Sequence, residues 1–400
     1  MRAPHTPHFL TAFPVYSSAF LSPTHLVLGG GGGASKTGIK NKLRVYDVGE
    51  NRSITLVDEL QLEPGEDAPM SIAANLEASG NARVRYQQPG RAAEEGGEPK
   101  LPCFSFKDQK LGLLGTHGTL VSGDLEDYQK VTVLSPDGKL LVAAGINSLQ
   151  LLSFPSLAPA ALALKTDKEI YDVTFSQNKL VVATTDNLLV YELPSSEKDK
   201  GSPSKDKKKG KQKEKVAVLH DLELLRTIDP PATVAGVTGS TFRAARFHPE
   251  NPEILYTVSN TIPGRSRTKK AAPRQAFVVK WNTATWAADK VRKVGDKGLT
   301  CFDVSSNGKM LAFGNSDCNV GILDANTLAP LVTILKAHEL PPTTIKFNPT
   351  SQLLVSASAD NSMRVISVPH SAEKSSWSLI ILILITLLIV LLAFAAQQYM

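Results

Sequence analysis

IKFNPTSQLLVSASADNSMRVISV, at residues 345–368, reads as three short strands rich in β-branched residues, separated by polar turns. Such strands pack on a half-buried pleated surface, and Asn, Asp, Gly and Pro supply the turns between them. The same sentence recurs as TVLSPDGKLLVAAGINSLQLLSF at 132–154 and DVTFSQNKLVVATTDNLLVYEL at 172–193. It returns again as CFDVSSNGKMLAFGNSDCNVGILDANT at 301–327. An interrupted copy occupies 245–283, ARFHPENPEILYTVSN then QAFVVKWNT, and a leading copy, SAFLSPTHLVLGGGGG then NKLRVYDV, lies within 18–48. Self-similarity at this spacing is the signature of a repeat architecture in which no unit buries its apolar face alone. Amphipathic helices of useful length are missing between the copies.

The last copy resembles the WD-repeat pattern of a propeller blade, with Ala337-His338 in place of Gly-His and Ile366-Ser367 in place of Trp-Asp. In that pattern Asp360 closes a turn and His338 bonds back to it, both as structural residues. Six copies are visible. The stretch 66–130 has room for a seventh, with strands from MSIAANLEA and PCFSFK around an acidic loop, AAEEGGEPK. The expected fold is all-β, a seven-bladed WD-repeat β-propeller over 1–370. Its last blade shows three strands, so a fourth is expected from the N-terminus, with His8–Phe13 as the closing strand.

Beyond a linker at 371–378 comes LIILILITLLIVLLAFAA, residues 379–396, with one hydroxyl and no charge. As a helix it spans roughly 27 Å, about the hydrocarbon thickness of a bilayer. A single C-terminal transmembrane helix is therefore expected, with a lumenal tail at 397–400 and the propeller facing the cytosol. No secretory leader is expected, since MRAPHTPHFLTAFPVYSS lacks both a basic start and an apolar core of adequate length. Three scattered cysteines, Cys103, Cys301 and Cys318, give neither a disulfide framework nor a zinc-site spacing. The formal charge of +6 comes mostly from EKDKGSPSKDKKKGKQKEK at 197–215, nine lysines against four acids. This run reads as a disordered insertion, 196–215, with weak contact to anionic lipid headgroups as the functional alternative, while the lack of arginine and aromatics disfavours nucleic-acid binding.

The first blade interrupts its turn with GGGGGASKTGIKN, residues 29–41. Three readings compete. A phosphate-cradling loop requires glycine directly before Lys-Thr, where Ser35 stands. A floppy linker would continue in Gly and Ser, whereas a strand begins at once. In a rigid loop, glycines at positive φ let backbone carbonyls converge into a monovalent-cation site. His117, in GTHGT, reads as a turn histidine of the blade rather than a general base, and no Ser-His-Asp set is visible.

The GGGG tract, the following GI-K-N-K-L and the C-terminal anchor together resemble the endoplasmic reticulum exchange factors for the small GTPase that initiates COPII coat assembly. That resemblance covers the whole architecture. It implies guanine-nucleotide exchange without covalent chemistry, at the endoplasmic reticulum membrane (the Golgi is also open), in transport from reticulum to Golgi. It implies the small GTPase and the membrane as partners, and no nucleic acid or small-molecule substrate. By motif, Asn41 is the residue critical for exchange. Potassium would be held by the carbonyls of Gly31, Gly32, Gly33, Ser35, Thr37, Gly38 and Ile39. Lys36 and Lys40 bring positive charge close to that ion, a departure from the family's neutral loop. The alternative is a membrane-tethered WD-repeat scaffold without exchange activity.

Overall fold

The computed structural model describes residues 3–33, 38–62, 68–76, 82–86, 100–118, 129–194, 219–235, 239–263, 274–369 and 385–386. The chain divides into a unit Met1–Ser367 and a second unit Val368–Met400. Within the first, backbone pairing groups the strands into seven sheets of four antiparallel strands. The innermost strands are Val15–Phe20, Ile72–Leu76, Val131–Leu134, Ile170–Phe175, Ser240–Phe247, Leu299–Val304 and Pro342–Phe347. Each touches the next and the last touches the first, so they line a closed ring. The protein is an all-β WD-repeat propeller.

The sequence pattern follows from this stacking. A second strand such as Lys179–Thr184 has another blade on either face, and Leu180 to Ala183 are all fully buried. Such strands read as unbroken apolar runs, whereas outer strands such as Ala287–Gly295 stay largely exposed. Acidic residues on inner strands tie successive blades together. Asp172 accepts from the Ala245 amide at 3.0 Å and pairs with Arg246, while Asp303 accepts from the Phe347 amide at 3.0 Å and from Lys346 at 2.9 Å. All three cysteines are free.

The ring is closed by His5–Phe9, which pairs antiparallel with Ser362–Ser367 from His5 opposite Ile366 to Phe9 opposite Ser362. The expected strand at 8–13 is thus shifted toward the terminus. Ala12 sits at φ 46°, which turns the chain, and Phe13 plunges into the core with no exposed surface. Phe13 packs in one cluster with Val15 and Leu28 of the first blade and Val355, Met363 and Val365 of the last. Phe13→Ala is therefore expected to cost about 3–5 kcal/mol of unfolding free energy. Denaturant titration checks this, and a loss below about 1 kcal/mol would show that the seam does not depend on that ring.

Three further expectations need correction. In the second blade, Ile72–Leu76 and Lys100–Lys107 are strands as read, but Ala82–Tyr86 lies between them and Lys110–Gly118 is the outer strand. His117 is consequently on a strand, exposed and opposite Leu101, rather than in a turn. In the last blade His338 does not bond directly to Asp360, from which it stands 3.7 Å away. Its Nδ1 meets Ser362 Oγ at 2.7 Å, and that hydroxyl donates to Asp360 at 2.6 Å.

The insertion 196–215 and the linker 371–378 lie outside the described residues, as does the anchor 379–396 apart from Ile385 and Thr386, which are helical. Among the described residues no helix is long and apolar enough to cross a membrane.

Candidate functional site

The glycine loop leaves the second strand of the first blade, His25–Gly30, and returns into the third, Lys42–Val48. Gly30 pairs with Val15 at the beginning of the inner strand, so the loop rises from the face on which the inner strands start. The glycines here answer to close packing. A Cβ on Gly30 would lie 2.2 Å from the Pro14 carbonyl oxygen. Gly31, at φ 141°, gives its amide to that same oxygen at 2.9 Å, and a Cβ there would strike Asn41 Oδ1 at 2.3 Å. Backbone contact of this kind tolerates no side chain.

Asn41 is 9% exposed and holds the loop at two points. Its Oδ1 accepts from the Gly33 amide at 2.9 Å, and its Nδ2 donates to the Gly33 carbonyl at 3.2 Å. An amide is the one short side chain that both donates and accepts in this plane. The Asn41 carbonyl accepts from Leu62, which fixes the residue to the body of the blade. The described part of the loop is stapled to the propeller, which a floppy linker is not.

Below the loop, Lys42 and Arg44 converge on Glu59 at 2.5 and 2.6 Å. Burial would raise the Glu59 pKa, but the hydrogen bonds and charges of Lys42 and Arg44 hold it below the ordinary carboxylate range. Arg44 also lies over the Phe13 ring, 4.3 Å from its centre, linking the base of the loop to the ring seam.

Of the residues read as site residues, the structure brings Gly31, Gly32, Gly33 and Asn41 together, with Gly38 at φ 78° and Ile39 on the returning limb. Ser35, Thr37 and Lys36 lie outside the described residues, and Lys40 is exposed. Residues 29–41 contain no carboxylate. Neutral oxygens suit a monovalent cation, whereas calcium and its like require carboxylates. The donor chemistry therefore fits potassium. Among the described residues no group of His, Cys, Asp or Glu could hold a metal ion. What sequence reading missed is Gly33 as the partner of Asn41. No local sequence pattern marks that pairing, since Gly33 is one of five consecutive glycines.

Residues 329–367 match the family described as WD domain, G-beta repeat. Over 383 residues the chain is 24% identical to the guanine nucleotide-exchange factor SEC12 of Candida glabrata, covering 93% of this chain and 74% of that protein. With the SEC12 of Rattus norvegicus it shares 23% identity over 428 residues, 96% of each chain. The chain is SEC12-like. Among solved structures, Raptor of Chaetomium thermophilum aligns with a TM-score of 0.62 at 12% identity, covering 92% of this chain and 29% of that one, which speaks to the propeller fold alone. The SEC12-like alignment spans the glycine loop and the body together, so the likeness is one of whole architecture and exceeds that of a common WD repeat.

Proposed function

We propose that this SEC12-like propeller is a guanine-nucleotide exchange factor for the small GTPase of COPII assembly, acting at the endoplasmic reticulum membrane. The observation that carries the reading is the two-point clasp of Asn41 on Gly33. It fixes Gly33 against Asn41 before any partner arrives, so this described part of the loop loses little conformational entropy on docking.

Exchange of this kind makes and breaks no covalent bond. Small GTPases hold GDP with roughly 12–16 kcal/mol. A protein that binds the open, nucleotide-free state better than the closed one weakens nucleotide by the same factor that nucleotide weakens its own grip. The loop is the wedge in this scheme, with its carbonyls and amides presented to the switch backbone. Asn41 acts by positioning, because its amide already serves Gly33. Potassium, when bound to loop carbonyls among residues 31–39, would add rigidity at the tip. The apolar segment 379–396 supplies the tether, which makes the GTP-loaded product beside the bilayer it must enter.

Release of a fluorescent GDP analogue from the GTPase, with full-length protein in liposomes, tests this. Acceleration of at least about tenfold is expected, ~1.4 kcal/mol of barrier, with less in sodium than in potassium. No acceleration would leave the anchored scaffold as the function. Equal rates in both salts would remove the ion and leave the exchange reading standing.

A further inference from the structure

Five of the seven inner strands break register at the same level, near their first residues. The extra residues are Tyr16, Tyr171, Arg243, Thr300 and Thr343. A bulge re-aims a side chain, and all five of these line the central cavity, about 610 Å³ in volume. They sit at the strand starts, on the face from which the glycine loop rises. Two of them serve the ring itself: Thr300 Oγ1 donates to the Pro342 carbonyl at 2.6 Å, and Thr343 Oγ1 to the Val15 carbonyl at 2.6 Å.

Arg243 serves no such purpose. Its guanidinium lies over the Tyr171 ring, 4.2 Å from the centre, and its buried Nε has no hydrogen-bond partner among the described residues. Lys130, 5.0 Å from the same ring centre, pairs with Glu169 at 2.6 Å, so Arg243 shares that carboxylate's charge without a direct bond to it. The other cations of the cavity wall are matched, Arg246 by Asp172 and Lys346 by Asp303. Among the described residues the mouth thus holds one cation beyond its carboxylates. Stacking on a phenol offsets part of the cost of burying it. The Nε–H is buried, so an incoming carboxylate meets the terminal N–H groups of this half-buried guanidinium, which are not among its buried unpartnered atoms.

We infer that the channel mouth receives an acidic side chain of the docked GTPase, with Arg243 as its anchor and Tyr171 as the platform. This rests on the exchange reading above and extends its footprint from the loop across the ring.

Full-length Arg243→Gln and Arg243→Glu, in liposomes, are compared with the wild type for GDP release against GTPase concentration, and for binding of nucleotide-free GTPase. The half-saturating concentration is expected to rise several-fold for Arg243→Gln and about tenfold or more for Arg243→Glu, with the saturated rate unchanged. The difference should shrink as salt is raised. Single Asp or Glu to Lys replacements over the GTPase surface are then paired with Arg243→Glu, and one of them should restore binding. Concentration curves superposing on the wild type, or no restoring pair, would overturn the inference. Should Arg243→Glu fail to fold, Arg243→Gln decides alone. A wild type that binds without accelerating release sinks the exchange reading and leaves the anchor testable by binding.

Discussion

Asn41→Ala is expected to lower stimulated GDP release by about tenfold or more while the propeller stays folded. The substitution removes an acceptor for the Gly33 amide and a donor for its carbonyl. Each such bond contributes on the order of 1 kcal/mol, and the two together hold the loop closed. Outside the hydrophobic clusters of the blades, the change should leave the melting temperature within a few degrees of the wild type. Asn41→Asp is the sharper variant. It keeps the acceptor and the volume, but an ionised carboxylate faces the Gly33 carbonyl with no proton to offer. Its exchange should fall as far as that of Asn41→Ala. If Asn41→Asp retained full exchange, the amide donor would be irrelevant and the two-point clasp would be the wrong account of this residue. If Asn41→Ala did so, the loop would not be the wedge.

Legibility in the sequence followed burial. Strands with neighbours on both faces, such as Leu140–Ala144 and Leu353–Ser358, write themselves as LLVAA and LLVSAS and were readable at once. Outer strands do not. Lys110–Gly118 leaves Leu113 at 60% and Leu114 at 58% exposure and carries three glycines, so its pattern matches no strand template. The closing strand was placed too late because Phe13 looks like strand material, yet its burial comes from a turn at Ala12 that plugs it into the seam. At the site, the importance of Asn41 was available by motif, while its partner was not. Pairing an amide with a backbone unit eight residues away is a property of the closed loop, and no local pattern encodes it. Arg243 was hidden for a related reason. In the string TFRAARF it is one of two arginines, and only the register break between Phe242 and Ala244 separates the one that enters the mouth from the one that meets Asp172.

Acid should unlock the last blade before the rest, through His338. The ring is 5% exposed, with Nδ1 on Ser362 Oγ at 2.7 Å and Nε2 on Ser356 Oγ at 2.9 Å. Because Ser362 gives its own proton to Asp360, Nδ1 carries the imidazole proton and Nε2 accepts from Ser356. Neutral imidazole is thus satisfied on both sides. Burial pushes the pKa of His338 down to about 4, which the Asp360 carboxylate opposes and Arg364 reinforces. An unfolded chain takes up that proton near the ordinary pKa of 6.5, while the folded ring resists until about pH 4. Protons therefore favour the unfolded state between those values. The contribution of His338 is intact above pH 6.5 and is lost as pH falls, by about 1.4 kcal/mol per pH unit and about 3 kcal/mol in all. Since Ser362–Ser367 also carries the closing strand His5–Phe9, the loss should open the seam of the ring. Unfolding free energies of the wild type and His338→Gln, measured from pH 7 to 4.5, isolate the effect from the carboxylates that titrate in both proteins. The glutamine variant should start less stable and fall less steeply, so that the gap between the two narrows with acid. Parallel curves would mean that folding leaves the pKa of the ring unchanged, with Asp360 balancing burial, and a gap that widened with acid would mean that Asp360 outweighs it.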